Sequence, residues 1–486
     1  MRTEVDLLAS SISASAGWAI VIGLGLLWVA LGIYWGKKAQ DSEGFMLAGR
    51  KVGLSLGAAT SMATWVTSNT TMLAPVLALT LGVWGMVAYS TASFGLLLFA
   101  CFVPRIRKLL PQGVTAGDFF RQRFGRAGWV LFLLITMIYS LAWLVSMAIA
   151  GGDLLMVLAD IPFVQGMSLI LVVCVLYTLF GGMYAVIGTD FIQSIIILVG
   201  IVVIGTMVVM QLDFDSAYTH MQVTQPSLLQ ILMPAALLAV FNNMLFGFGE
   251  VFHNNVWWSR AFAMRKDVAP KAFFLSGLLW FPIPIAAGFI ALAAGPLGVN
   301  IVDINQTGPA VAAAVMGNAG MGVFAGALIL IVLFCSMASS IDSLLAATSD
   351  LLIRDVHEGL LGRKLDEKGF RKTAGSVIVG VGILTWLLAV PHWPIVQVLF
   401  ISGPLVGSLI WPVIAGLFWK KINRPLVLCG IILGSALGVA AYSQLGWYTA
   451  ALVGAGTSMM FTIAARFLSP QPFSELTNLA TLSETP

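Results

Sequence analysis

Charge is what this chain has least of. Asp, Glu, Lys and Arg make up 9% of its 486 residues. No Lys or Arg occurs between Arg126 and Arg260, and none between Lys271 and Arg354. A chain so poor in charge and 59% hydrophobic is no ordinary soluble globule, in which about a quarter of residues are charged. The 4 cysteines, Cys101, Cys174, Cys335 and Cys429, lie in or beside apolar runs. Their spacing suits neither a zinc site nor a secreted disulfide framework, so they read as reduced packing residues. The net charge of +4 asks for no nucleic-acid partner. Period-2 alternation is missing too, which excludes bilayer-facing strands. No polar stretch is long enough for a soluble domain; the longest, about 355–372, reads as a loop.

What is present is alternation. All the basic residues except Arg2 fall in six places, separated by apolar runs of about 20 residues, enough to cross a bilayer as helices. The clusters are Lys37 to Lys51, Arg105 to Arg126, Arg260 to Lys271, Arg354 to Lys372, Lys420 to Arg424, and Arg466. The intervening connections hold acids or nothing: Asp153 and Asp160, Asp213 and Asp215, Asp303. Positive charge on alternate connections predicts a multi-pass protein of the cell membrane, with the N-terminus outside and the C-terminus cytoplasmic. Thirteen spans are expected near 17–36, 55–80, 84–103, 128–149, 166–184, 190–210, 229–257, 272–295, 321–351, 373–391, 394–418, 425–443 and 447–466. The first run is too long for a cleaved signal peptide and lacks its flanking features. The pattern also predicts that no basic side chain lies in the membrane interior.

Two spans are polar where spans should not be. The second holds Thr60-Ser61-Met62-Ala63-Thr64-Trp65-Val66-Thr67-Ser68-Asn69-Thr70-Thr71 and then Pro75; the seventh holds Asn242-Asn243, Gly247, Gly249, Glu250, His253, Asn254 and Asn255. Polar groups at that depth need protein, water or a ligand beside them, although Ser, Thr and Gly also serve simple helix packing. Interrupted helices at matching positions, here five spans apart, point to a transporter's binding site between inverted repeats. The ninth span adds Ser336, Ser339, Ser340 and Ser343 at offsets that put four hydroxyls on one face, with Asp342 beside them. Hydroxyl and carboxylate oxygens are hard ligands for a small cation. Asp190, Glu250, Asp342 and Asp350 lie in or at the edge of spans without a basic partner in the sequence. Either they carry protons or a cation from outside the protein neutralises them. Glu250 and His253, three apart, could meet on one helix face. Trp257-Trp258 reads as an interfacial aromatic pair.

These residues are embedded in motifs that resemble the sodium:solute symporter family of sodium/proline, sodium/galactose and sodium/sialic acid carriers. The resemblance runs over about residues 40 to 420. It rests on Phe45-Met46-Leu47-Ala48-Gly49-Arg50, Thr115-Ala116-Gly117-Asp118, Arg123-Phe124-Gly125, the run Tyr177 to Gln193, Arg260-Ala261-Phe262-Ala263 and the ninth-span serines. It implies an all-α, LeuT-type fold of two inverted five-helix repeats, 41–212 (spans 2–6) and 229–419 (spans 7–11). An extra first helix (1–40), two further helices (424–468) and a cytoplasmic tail (469–486) flank them. It further implies a main sodium site of the Ala63 and Val66 carbonyls with Ser336, Ser339 and Ser340. A second cation site would comprise Asp190, Asp342 and Ser343, together with Ser339. Asp342 stands where the family usually has a hydroxyl, a departure expected to change ion stoichiometry or pH dependence.

The expected activity is sodium-coupled symport of a small neutral or cationic solute by alternating access, with sodium, solute and bilayer as partners and no covalent chemistry. Thr64, Trp65, Ser68 and Asn69 from the second span, and Phe246, Glu250, His253 and Asn254 from the seventh, should line the solute pocket. The stretch Phe248 to Ala261 is faintly similar to the urea-permease branch. Rival readings are an uncoupled or proton-coupled uniporter or channel on the same scaffold, and a polytopic membrane enzyme or sensor. The sequence leaves the oligomeric state open.

Overall fold

The computed structural model describes residues 11–473 apart from 40, 231, 300, 302 and 319; the expected tail beyond 473 lies outside them. The described residues are almost wholly helical, with one two-stranded pairing of Lys421–Ile422 against Gln471–Pro472. Among the described residues, eleven helical stretches are long and apolar enough to cross a membrane. One of them, Phe163–Gln211, would be roughly 70 Å long if straight, over twice the hydrocarbon thickness. It is interrupted at Gly182, whose φ of +52° and ψ of −153° no helix accommodates. A side chain there would also strike the Phe45 carbonyl. This run is therefore two spans, the fifth and sixth. The second span stands outside these eleven because it is broken into Leu54–Trp65 and Ser68–Leu81. With it the crossings number thirteen, as the hydropathy pattern predicts.

The breaks have local causes. Val66, with φ −79° and ψ +79°, leaves the helical region. Thr67 then starts the next helix by accepting a hydrogen bond from the Thr70 N–H through its hydroxyl. In the seventh span, Pro234–His253 ends at Asn254, whose side-chain oxygen accepts from the Val256 N–H and begins Asn255–Ala263. The seventh span thus runs to Ala263, six residues beyond the expected end. The eleventh is built from three short helices, Ile395–Phe400, Gly403–Gly407 and Ile410–Phe418.

The broken spans lie at the centre and apolar side chains such as Leu26, Val202 and Ile383 face outward, as a lipid solvent requires. The third and seventh spans touch backbone to backbone: a Cβ on Gly95 would lie 2.2 Å from the Gly247 carbonyl, and one on Gly247 2.3 Å from that of Ala92. The eighth span is fixed to the second by Trp280, whose indole N–H donates to the Trp65 carbonyl at 2.7 Å. Gly247→Val forces this crossing apart and should cost about 1–3 kcal/mol of stability. Gly205→Ala, which meets no atom within 4 Å, should cost nothing measurable. Thermal unfolding of the two purified variants in detergent checks this.

Candidate functional site

The second-span break presents carbonyls to the ninth span, Gly322–Leu351. Ser339 Oγ lies 3.0 Å from the Ala63 carbonyl, and Ser340 Oγ 2.9 Å from that of Thr64. Both hydroxyls also reach the Ser336 carbonyl, at 3.2 and 3.0 Å. Five oxygens, from Ala63, Thr64, Ser336, Ser339 and Ser340, therefore converge where the last turn of Leu54–Trp65 carries the negative end of its dipole. Of the residues named from sequence for a main cation site, Val66 is the one whose carbonyl has no bond to this group among the described residues; Thr64 takes its place. Tyr177 braces the ninth span from the fifth, donating its hydroxyl to the Ala338 carbonyl at 2.5 Å.

One helical turn along, the geometry departs from expectation. Arg260 does not lie in a loop with its basic neighbours; it is 1% exposed and inside the bundle. Its Nη2 donates to Thr64 Oγ1 at 2.6 Å, Ser343 Oγ at 2.7 Å and Asp190 Oδ2 at 3.2 Å, and its Nε to Thr60 Oγ1 at 3.1 Å. Thr60 bonds the same carboxylate oxygen at 2.5 Å. The expectation that no Lys or Arg is there to pair with the acids of the spans is thus corrected for Asp190. The reason is the break at Asn254: the short helix behind it turns the arginine back toward the core. Asp190 accordingly has a partner from the protein. Asp342 is fully buried and neither of its oxygens accepts a bond of ordinary geometry. The guanidinium thus stands among the residues named for a second cation, bonded to Asp190, Ser343 and Thr64.

On the other side of the breaks lies a polar cluster walled by aromatic rings. The Trp65 and Trp257 rings are 4.7 Å apart, and Tyr139 meets His253 edge-on at 4.5 Å and Phe246 at 5.9 Å. Trp257 and Trp258 are fully buried. They are not an interfacial belt, because the break carries them inward and their indole N–H groups find Glu250 and the Phe252 carbonyl. Glu250 Oε1 accepts from Trp257 and from Asn254, each at 3.0 Å, whereas Oε2 accepts no bond of ordinary geometry. Glu250 and His253 do not bond each other. The His253 Nδ1 instead donates to the Gly249 carbonyl at 2.8 Å, which leaves Nε2 unpartnered. Asn69 donates to Ser146 at 3.0 Å and has a free Oδ1; the Ser68 hydroxyl is also without a partner. Asn254, named for the pocket, is occupied in capping the helix and holding Glu250. Sequence reasoning missed the fourth span's contribution of Tyr139, Trp143 and Ser146, although their spacing of four and three was a legible helical face.

Comparison with known proteins fits this geometry. The profile of the sodium:solute symporter family matches residues 45–434, and the chain belongs to that family. It is 26% identical to the urea-proton symporter DUR3 of Oryza sativa subsp. japonica over 91% of this chain and 66% of the relative. It is 23% identical to the urea active transporter of Saccharomyces cerevisiae, over 88% and 63%. It thus spans just under two thirds of the length of those two relatives. The osmoregulated proline transporter OpuE of Bacillus subtilis is 26% identical over 86% of this chain and 87% of its own. Among solved structures, a sodium-coupled sialic acid symporter in a substrate-bound outward-open state superposes with a TM-score of 0.79 at 19% identity, over 94% of this chain and 99% of that one. Mhp1, a nucleobase-cation symporter, superposes at 0.52 with 13% identity, over 86% and 93%. The fold is the LeuT type of two inverted five-helix repeats, and the family is one of transporters rather than enzymes.

Burial makes the Arg260–Asp190 pair hard to break from one side. Arg260→Gln leaves a buried carboxylate short of its cation and should lower stability by about 3–5 kcal/mol. Adding Asp190→Asn should restore a large part of that loss. A double-variant cycle of thermal unfolding in detergent measures the coupling; additive losses would show that the pair does not hold the fold.

Proposed function

We propose that the protein imports a small, N–H-rich neutral or cationic solute, urea being the first to try, by sodium-coupled alternating access. The observation that carries the coupling is the set of oxygens from Ala63, Ser336, Ser339 and Ser340. Their hydroxyl–carbonyl bonds join the broken second span to the ninth. Sodium entering among them exchanges those bonds for ligation, with Val66 near enough in sequence to add its carbonyl. The ion is then worth more in the conformation that keeps the two spans together, which is what coupling means thermodynamically. With basic connections cytoplasmic, the N-terminus is outside and the C-terminus inside, and a 100 mV potential adds about 2.3 kcal/mol per charge moved inward. The moving and framing parts come from the repeats 41–212 and 229–419, with 1–40 and 424–468 as added helices.

The solute class follows from which atoms lack partners. Glu250 Oε2, Asn69 Oδ1 and, in the uncharged ring, His253 Nε2 are all acceptors. Such a set selects a solute with several N–H donors and repels an anion. Trp65 and Trp257 offer flat faces for a planar group. Urea, with four N–H donors on a plane, meets that description, and the names of two relatives support it. Asp342 stands one turn from the sodium oxygens, and neither of its own accepts a bond of ordinary geometry. It belongs with Asp190 and Ser343 to a second cation position in which the Arg260 guanidinium now sits.

Two measurements on proteoliposomes test this. Ser340→Ala should raise the sodium concentration for half-maximal uptake at least tenfold, about 1.4 kcal/mol, and Asp342→Ser should shift the same curve. Equal accumulation under potassium and sodium gradients, or accumulation driven by a pH gradient alone, overturns sodium coupling. Glu250→Gln should weaken apparent urea affinity about tenfold or more, as expected for losing a hydrogen bond to a charged group. Unchanged affinity would remove Glu250 from the solute site.

A further inference from the structure

At the end of the bundle opposite the basic connections, three segments far apart in sequence bring a histidine and two aspartates together. Asp153 comes from the last turns of the fourth span, Asp303 from the segment before the short helix Thr307–Asn318, and His392 from the link between the tenth and eleventh spans. His392 Nε2 lies 2.8 Å from Asp153 Oδ1 and 3.8 Å from Asp303 Oδ2. One ligand atom from each of the three lies within 4.8 Å of the others. The histidine is held for this position. Its φ is +57°, rare for a residue with a side chain, and Phe163 stacks on its ring at 3.9 Å between centroids. Asp153 is 0% exposed, yet its Oδ2 has no hydrogen-bond partner. The Gln306 amide stands 3.5 Å from Asp153 Oδ1.

We propose that Asp153, Asp303 and His392 form a binding site for a divalent transition-metal ion of the zinc class, and that the bound ion clasps the outer side of the transporter shut. Two carboxylates and a neutral imidazole make a charge-balanced set for a divalent ion. A proton on the histidine would instead leave one negative charge in excess beside a buried orphan oxygen. Ligands at zinc-type bond lengths in a tetrahedron sit about 3.3 Å apart; the present 2.8 and 3.8 Å bracket that value, so small shifts admit the ion. A nitrogen ligand and a low ligand count favour zinc, cobalt or nickel over calcium and magnesium, which prefer six or more oxygens. Gln306 or water completes the shell. The clasp follows from what the three segments cover. Gly308, at the start of Thr307–Asn318, sits against the Thr71 carbonyl of the second span's outer half. Asn305 accepts from the Ile395 N–H at the start of the eleventh span. An ion joining these segments to the fourth span resists their separation from it and from the second span's outer half, which begins at Ser68 and Asn69. The clasp, unlike the site, rests on the orientation and alternating access proposed above.

The test separates the two. Purified full-length protein, stripped with chelator and dialysed against zinc, should bind one ion per chain. Asp303→Asn and His392→Gln, at partly exposed positions that leave the buried Asp153 in place, should each weaken binding at least tenfold. Cobalt should give the visible absorption of a low-coordinate site in the wild type only. No stoichiometric binding, or binding that both variants retain, overturns the site. So does metal-independent, pH-dependent uptake abolished by His392→Gln, which would mark an imidazolium–carboxylate pair instead. For the clasp, zinc added outside proteoliposomes should slow uptake by the wild type and leave His392→Gln unaffected; stoichiometric binding with unaltered uptake overturns it. Because binding is read on purified protein without solute or sodium, a failure of sodium coupling does not register as a failure of the site.

Discussion

A guanidinium cannot be buried without satisfying its donors, and the arrangement of four spans answers to that requirement at Arg260. The charge is too costly to hide alone: several kcal/mol per ion remain after relaxation in a protein interior. The sixth span supplies a carboxylate through Asp190, the second supplies Thr60 and Thr64, and the ninth supplies Ser343. These partners sit on three different helices, so the arginine, itself on a fourth, stays satisfied only while all four spans remain in register. Ser343 lies one turn along the ninth span from Ser339 and Ser340, and its hydroxyl bonds the Ser339 carbonyl. The position of the serine oxygens relative to the second-span carbonyls is therefore set partly by the arginine. One end of the bundle is closed by this polar tie, and the cluster of Asp153, Asp303 and His392 ties the other. The polar cluster of Glu250, His253 and Asn69 is enclosed between the two.

The second-span break accounts for much of the rest. A continuous helix would bond its own carbonyls; ending at Trp65 releases those of the last turn. They are taken up by serine hydroxyls, which are good partners for a carbonyl and equally good ligands for a hard cation. This interchangeability lets one set of atoms satisfy itself in two states without stranding a polar group in a dry interior. Seen this way, the ninth-span serine stripe serves the packed state as well as the proposed ion-bound one.

The spans, the two breaks and the serine stripe were legible because each is a local departure from the composition around it. The connection between the fifth and sixth spans was expected at about 185–189; the break falls at Gly182 instead, where the residues on either side are unremarkable in hydropathy. What could not be read locally were contacts set by long-range geometry. Arg260 resembled its loop neighbours Arg265 and Lys266 until the break at Asn254 placed it 70 residues away in sequence from its carboxylate partner Asp190. Trp257 and Trp258 looked like a membrane-surface pair for the same reason. A separation of 239 positions between Asp153 and His392 hid that pairing entirely. Among the residues expected to line a solute site, Trp65, Asn69, Phe246, Glu250 and His253 do gather in one place. Asn254 became a helix cap, and Tyr139 entered from a span that carries no break to advertise it.

The contact between Gly95 and Gly247 has a mechanical consequence. Where two backbones touch with nothing between them, there is no rotamer to flip and no slack to absorb a small displacement. The third and seventh spans must then travel as one body, and the indole of Trp280 rivets the second span's inner half to the eighth. A displacement of the third span is thus passed to the seventh, which carries Glu250 and His253, as through a solid lever rather than a spring. Motion of such a body is all-or-none, and its pace is that of whole-domain rearrangements, microseconds to milliseconds, not of side chains.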